Sequence, residues 1–128
     1  TTRDSGKPLG MKRLLLLMLL ASPAHAADPV IEDVTVTRTG TDTYRFSVTI
    51  SHPDTGWDHY ADGWRVLDMD GNELGLRVLF HPHVDEQPFT RSLDGVQIPA
   101  GTTQVQVQAR DLPAGWNDST TVVDLPPE

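Results

Sequence analysis

The 128-residue sequence contains no cysteine. This excludes disulfide bonds, thiolate metal ligands, iron–sulfur clusters and cysteine nucleophiles from these residues. A metal site would have to use imidazole, carboxylate or thioether groups. A secreted domain of about 100 residues can be held by its hydrophobic core without disulfides.

Lysine is also scarce, and from Ala27 onward it is absent. That part of the chain has six arginines against 17 acidic residues, a net charge of −11 with neutral histidine. A surface with this charge repels phosphate backbones and anionic lipid, so we exclude nucleic acid as a partner. It favours cations and basic partners instead.

Long hydrophobic runs are missing, apart from one of seven residues at positions 14–20. A membrane-spanning helix needs roughly 20 such residues. The run follows Met11-Lys12-Arg13 and precedes the small-residue pattern Ala24-His25-Ala26. This order predicts a bacterial Sec-type signal peptide at residues 11–26, cleaved after Ala26.

The domain organisation follows from this leader. Residues 1–10 are interpreted as an upstream extension without a structural role, and residues 27–128 as a single domain of common size. We therefore expect a periplasmic or secreted protein that is not stably inserted in a membrane after cleavage.

The sequence after the leader has no sustained helical period, and alternating segments dominate it. In Thr43–Ser51 the apolar residues occupy every second position, which is typical of a strand with one buried face. Val105, Val107 and Ala109 repeat this pattern, and Asp70-Gly71 between two strand-like segments indicates a hairpin. About seven such segments predict an all-β protein, an immunoglobulin-like or fibronectin-III-like antiparallel β-sandwich, with a small barrel as the alternative.

Recognisable catalytic motifs are lacking. The sequence has no Gly-x-Ser-x-Gly elbow, no His-Glu-x-x-His and no phosphate-binding loop. Asp68-x-Asp70-x-Asn72 resembles the start of a calcium loop, but the later glycine and glutamate are not at the required positions. We therefore expect no enzymatic activity.

Four histidines, in contrast, lie close together in the sequence: His52, His59, His81 and His83. His52 follows a predicted strand, and extended residues at i and i+2, such as His81 and His83, point the same way. If the ends of these segments meet, the four imidazoles form a transition-metal site for copper or zinc. Nearby carboxylates could bind the ion or orient the rings: Asp54, Asp58, Asp62, Asp85 and Glu86. The alternative is that all four histidines are solvated loop residues.

Aromatic residues accompany the histidines and allow two interpretations. Trp57, Tyr60 and Trp64 could form a platform on which sugar rings stack. Alternatively, Trp64 is the buried tryptophan of a sandwich core, which we favour. Trp116 is expected elsewhere, covering a sheet edge.

His52-Pro53 and His59-Tyr60, after one strand and ahead of a strand with a tryptophan, resemble the iron domain of superoxide reductase (desulfoferrodoxin/neelaredoxin). The resemblance implies an immunoglobulin-like sandwich and equatorial imidazole ligands at His52 and His59, although the gap between them is one residue longer than in that family. The family's late Cys-x-x-His-Gly loop has no counterpart here, because residues 109–115 contain neither cysteine nor histidine. The resemblance therefore supports the sandwich and a metal site, and not superoxide reduction.

These observations leave three functional hypotheses. The first is a domain for metal handling that binds copper or zinc through the four histidines. The second is a non-enzymatic module without metal that binds another envelope protein. The third is a sugar-binding module that uses Trp57 and Tyr60.

Overall fold

The computed structural model describes residues 28–127, and within them it contains eight strands and no helix. The predicted leader and the upstream extension lie outside the described residues. No helix among residues 28–127 has the length and apolar character needed to cross a membrane. The strands are β1 (Val30–Gly40), β2 (Thr43–Ser51), β3 (Tyr60–Leu67), β4 (Glu73–Val78), β5 (Phe89–Gln97), β6 (Gln104–Leu112), β7 (Gly115–Trp116) and β8 (Thr121–Asp124).

The strands form two antiparallel sheets, which confirms the predicted sandwich. The first sheet has the order β1-β2-β5, and the second has the order β4-β3-β6-β7. β8 also pairs with β6, along residues that precede those paired with β7. This is the arrangement of strands A, B and E facing strands C′, C, F and G in a fibronectin-like sandwich. The count is eight rather than about seven because two-residue β7 is too short to leave a periodic signal in the sequence.

The core lies between the sheets and follows the period-two pattern. On β2 the buried side chains are Tyr44, Phe46, Val48 and Ile50, and on β6 they include Val105, Val107 and Ala109. Trp64 of β3 is fully buried in this core, which confirms the preferred interpretation of that residue. Each large apolar side chain removed from water contributes about 1.5–3 kcal/mol.

The hairpin between β3 and β4 is present, but its loop is longer than Asp-Gly alone predicts. Leu67 pairs with Glu73, so five residues connect the strands. Oδ1 of Asp68 accepts hydrogen bonds from the backbone N–H groups of Asp70 and Asn72 at 2.9 and 2.8 Å. The Asn72 side chain and these backbone donors lower the pKa of Asp68. The Asp68 side chain thus organises a turn in which only Gly71 has a positive φ.

One end of the sandwich gathers the segments that carry the histidines. β2 of the first sheet ends at Ser51, directly before His52, while β3 of the second sheet begins at Tyr60, directly after His59. Ala61 at the start of β3 pairs with Asp111 near the end of β6. The fold therefore brings groups from both sheets together at this end.

Candidate metal centre

His52 is a buried imidazole held between two carboxylates. Its side chain is fully buried, with Nδ1 at 2.5 Å from Oδ1 of Asp54 and Nε2 at 3.1 Å from Oδ2 of Asp111. Asp54 and Asp111 are themselves buried. Both ring nitrogens of His52 are thus directed at anionic oxygens, an arrangement that requires a proton or a metal ion between the groups.

His59 reaches the same carboxylate from a tight turn. The backbone N–H of Thr55 donates to the His59 carbonyl at 3.0 Å, and the His59 N–H donates to the Gly56 carbonyl at 3.2 Å. This turn places Nε2 of His59 at 3.5 Å from Oδ2 of Asp111. The His59 ring packs edge-on against His52, with 4.7 Å between the ring centroids.

His52, His59 and Asp111 together form a group that can hold a metal ion. One ligand atom of each residue lies within 4.8 Å of the others. In a tetrahedral zinc site, bonds of about 2.0–2.2 Å separate neighbouring ligand atoms by about 3.3–3.6 Å. The distances of 3.1 and 3.5 Å from Oδ2 of Asp111 to the two imidazoles are close to that spacing.

Asp111 is a candidate site residue that was not predicted from the sequence. It is 2% exposed, and its Oδ1 has no hydrogen-bond partner among residues 28–127. The signal for it was present, since Asp111 continues the inward positions Val105, Val107 and Ala109 of β6. A carboxylate at an inward position is costly unless it is paired, which makes it a candidate for a site.

Asp54 connects the histidine segments to one another. Its Oδ1 accepts from the Ala61 N–H at 3.0 Å and is hydrogen-bonded to Nδ1 of His52, and its Oδ2 accepts from the His83 N–H at 2.7 Å. The predicted meeting of the His52 segment with the loop of His81 and His83 is therefore present. Asp54 was predicted as a ligand or a ring-orienting group, and its Oδ1 contacts the His52 ring at Nδ1.

His83 and His81 lie on the other side of Asp54, outside the group of His52, His59 and Asp111. The buried His83 ring stacks on Phe89 with 4.0 Å between centroids, and His81 is exposed at 4.6 Å from the His83 ring. Burial, together with the charges of Arg91 and His81, lowers the pKa of His83. One ion shared by all four histidines thus stays a prediction, and the structure gathers only two of them with Asp111.

The other predicted carboxylates are placed differently. Asp62 accepts from Arg110 at 3.1 Å, and Glu86 pairs with Arg91 at the same distance. Asp58 and Asp85 are exposed. These four residues lie outside the group that contains Asp111.

The aromatic residues do not form a flat platform. Trp57 is 65% exposed, whereas Tyr60 is buried and meets the Trp57 ring edge-on at 5.7 Å. Trp116 lies on the edge strand β7, as expected, with the guanidinium groups of Arg65 and Arg110 at 3.9 and 4.7 Å from its ring centroid. The exposed aromatic side chains at the histidine end are those of Trp57 and Phe80.

No family model matches the chain, and no solved structure matches it. The chain is similar to a protein of Halomicrobium mukohataei named "Putative lipoprotein", with 43% identity over 94 residues. The match covers 73% of this chain and 46% of that protein, so this chain spans less than half of its relative's length.

Proposed function

We propose that this domain binds a transition-metal ion, copper or zinc, through His52, His59 and Asp111. The observation that carries the proposal is the buried Asp111 carboxylate, which lies at 3.1 and 3.5 Å from imidazole nitrogens of two histidines. Imidazole and carboxylate suit both ions.

Two further features of the site support this proposal. Oδ1 of Asp111 lacks a partner within the described part of the chain, and a cation beside the carboxylate would compensate its burial. Nδ1 of His52 faces the Asp54 carboxylate, and a hydrogen on that nitrogen would leave Nε2 with a lone pair for the ion. A metal-bound histidine commonly donates its other ring N–H to a carboxylate in this way.

The site is suited to holding an ion rather than to turnover. His52 and Asp111 are enclosed, and only His59 is partly open, with 26% of its side chain exposed. An ion would reach the site from the His59 side, and three protein ligands would leave one position for water or an incoming group. We therefore propose a role in metal handling.

The superoxide reductase resemblance agrees with two of these ligands. His52 and His59, the positions that resemble that family's element, lie in contact here. The third group is Asp111 rather than a cysteine thiolate, so we do not extend the resemblance to that family's reaction.

We further propose a location in the cell envelope or outside the cell. The similar protein of Halomicrobium mukohataei is named a lipoprotein, which supports an envelope location. The signal peptide predicted at residues 11–26 leads to the same proposal. Fractionation of cells that express the full sequence, with mass spectrometry of the N-terminus, would test both the location and cleavage after Ala26.

Calorimetric titration of residues 27–128 with Zn²⁺ and Cu²⁺ tests the metal site. We expect a dissociation constant below 10 μM, equivalent to roughly 7 kcal/mol. Asp111→Asn should abolish this binding, and Asp54→Asn should weaken it by about 10–100-fold because it removes the group that orients His52.

Asp58→Asn is the matched control, since it removes one negative charge from the adjacent exposed loop and leaves the three ligands in place. If neither ion binds below 10 μM, or if Asp111→Asn binds as tightly as the parent protein, the proposal is wrong. The site would then be a hydrogen-bonded network that holds a proton.

A second function, docking to another envelope protein, is favoured by exposed apolar residues on the loops of the histidine end. Trp57, Phe80 and Val84 are 65, 73 and 52% exposed. Exposed apolar groups rimmed by polar ones are typical of protein-binding surfaces. This function predicts an envelope partner that binds the parent protein and is lost with Trp57→Ser and Phe80→Ser, while metal affinity is unchanged.

A further inference from the structure

We propose that His81 and His83 form a second, outer transition-metal site, separate from the site of His52, His59 and Asp111. The domain would then bind two ions, one enclosed and one near the surface. This inference does not require the inner site to be occupied.

The separation of the two sites follows from how His52 is held. Its Nδ1 faces Asp54 and its Nε2 faces Asp111, so an ion on Nε2 lies at the ring edge opposite Asp54. His83 is bound to the other oxygen of Asp54 through its backbone N–H. An ion on Nε2 of His52 is thus on the wrong side of the ring to reach His83.

His83 provides the strongest sign of a ligand. Only 3% of its side chain is exposed, and neither ring nitrogen has a hydrogen-bond partner within residues 28–127. A buried polar atom left without a partner destabilises the fold. A cation bound to one of these ring nitrogens would supply the missing partner.

The orientation of both rings leaves Nε2 free. Nδ1 of His81 lies at 3.1 Å from the Pro82 carbonyl, which only accepts, so Nδ1 carries the hydrogen and Nε2 the lone pair. Nδ1 of His83 lies at 3.9 Å from Oδ2 of Asp54, an anionic oxygen that favours a hydrogen on that nitrogen. The two rings are 4.6 Å apart and belong to one short His-Pro-His segment.

Glu86 affects the charge around the outer site. Its carboxylate interacts electrostatically with both imidazoles. It also pairs with Arg91, and so offsets the positive charge of that guanidinium, which would otherwise repel a cation. Two imidazoles with water and a nearby carboxylate suit Cu²⁺ or Zn²⁺. With fewer protein ligands than the inner site, we expect binding at least tenfold weaker.

The test is a Zn²⁺ titration of residues 27–128 by calorimetry, with histidine ring resonances followed by NMR. The parent protein should bind two ions, and Asp111→Asn and His81→Ala should each bind one. In Asp111→Asn, the remaining ion should shift the ring signals of His81 and His83. The His81 side chain is exposed, so its replacement should leave the fold intact, which circular dichroism would verify.

The outcomes separate this inference from the proposed inner site. If the parent protein binds a single ion and His81→Ala leaves that binding unchanged, the outer site is refuted and the inner one stands. If His81→Ala and Asp111→Asn each abolish all binding, one shared site holds the ion and the inference of two is wrong. Asp85→Asn, a control in the same exposed loop, should still bind both ions. If Asp85→Asn lost the second ion while His81→Ala retained it, the outer site would also be refuted.

Discussion

Replacing His52 with alanine is the sharpest test of how this end of the fold is held together. In the protein without metal, the substitution removes the group that lies between Asp54 and Asp111, whose side chains are 0 and 2% exposed. Asp54 keeps the backbone N–H groups of Ala61 and His83, while Asp111 keeps only His59 among residues 28–127. Asp111 is therefore the carboxylate left with the least compensation.

The expected loss follows from known costs of breaking a buried ionic network. Removing one partner typically costs 3–5 kcal/mol, because the remaining charge stays buried without compensation. In a domain of about 100 residues, 1 kcal/mol changes the melting temperature by about 4–8 °C, so we expect a decrease of at least about 12 °C. Removing the second charge should recover part of this loss, since residues in one network are coupled by about 0.5–3 kcal/mol. His52→Ala/Asp111→Asn should thus be more stable than His52→Ala alone.

Urea unfolding with a chelator present, followed by tryptophan fluorescence, measures these free energies. Trp64 is buried and reports on the core. His81→Ala is the control, and its free energy of unfolding should stay within about 0.5 kcal/mol of the parent value because the side chain is exposed. If His52→Ala lowered the free energy of unfolding by less than about 1 kcal/mol, the reasoning would be refuted. It would also be refuted if the double variant were less stable than His52→Ala alone.

Three more predictions follow from the site and the core. A metal ion at 100 times its dissociation constant should stabilise the protein by about 2.7 kcal/mol, raising the melting temperature in calorimetry, and Asp111→Asn should abolish the part due to the inner site. The pKa of His83 is lower in the folded protein than the usual histidine value of about 6.5. As the pH falls below that value, the unfolded chain therefore binds more protons than the folded protein. The free energy of unfolding should thus be highest above about pH 6.5 and decrease below it. His83→Phe, which retains an aromatic ring against Phe89, should reduce this loss when urea midpoints are compared at pH 7 and pH 5. Phe46→Ala, at a fully buried position of β2, should cost about 3–5 kcal/mol in urea unfolding, and a loss under about 1 kcal/mol would contradict its place in the core.

Much of the fold could be predicted from the sequence because apolar and polar residues alternate along the strands, and this alternation shows which face of a strand is buried. Thr43–Ser51 and the inward valines of β6 are examples. The hairpin loop was less predictable. Its five residues depend on the Asp68 side chain accepting two backbone donors, an interaction that competes with the two-residue turn that Asp-Gly favours.

The candidate site was predictable only in part. The histidines could be selected by residue type, and the positions of β2 and β3 brought His52 and His59 into contact. Asp111 was hidden because it is 52 residues away from His59 in the sequence and is ordinary as a single aspartate; only its inward position on β6 marks it. The direction of His83 depends on its hydrogen bond to Asp54, 29 residues away, as well as on stacking against Phe89, so the local sequence alone does not predict it.

The position of the inner site across the two sheets has a mechanical consequence. His52 extends from the end of β2 in one sheet, while Asp111 belongs to β6 in the other. An ion held by both would act as a fastener between the layers, in a chain that has no cysteine to provide one. Separating the two sheets at this end would then require the ion to dissociate. The rate at which this end opens would therefore be limited by the rate at which the ion dissociates.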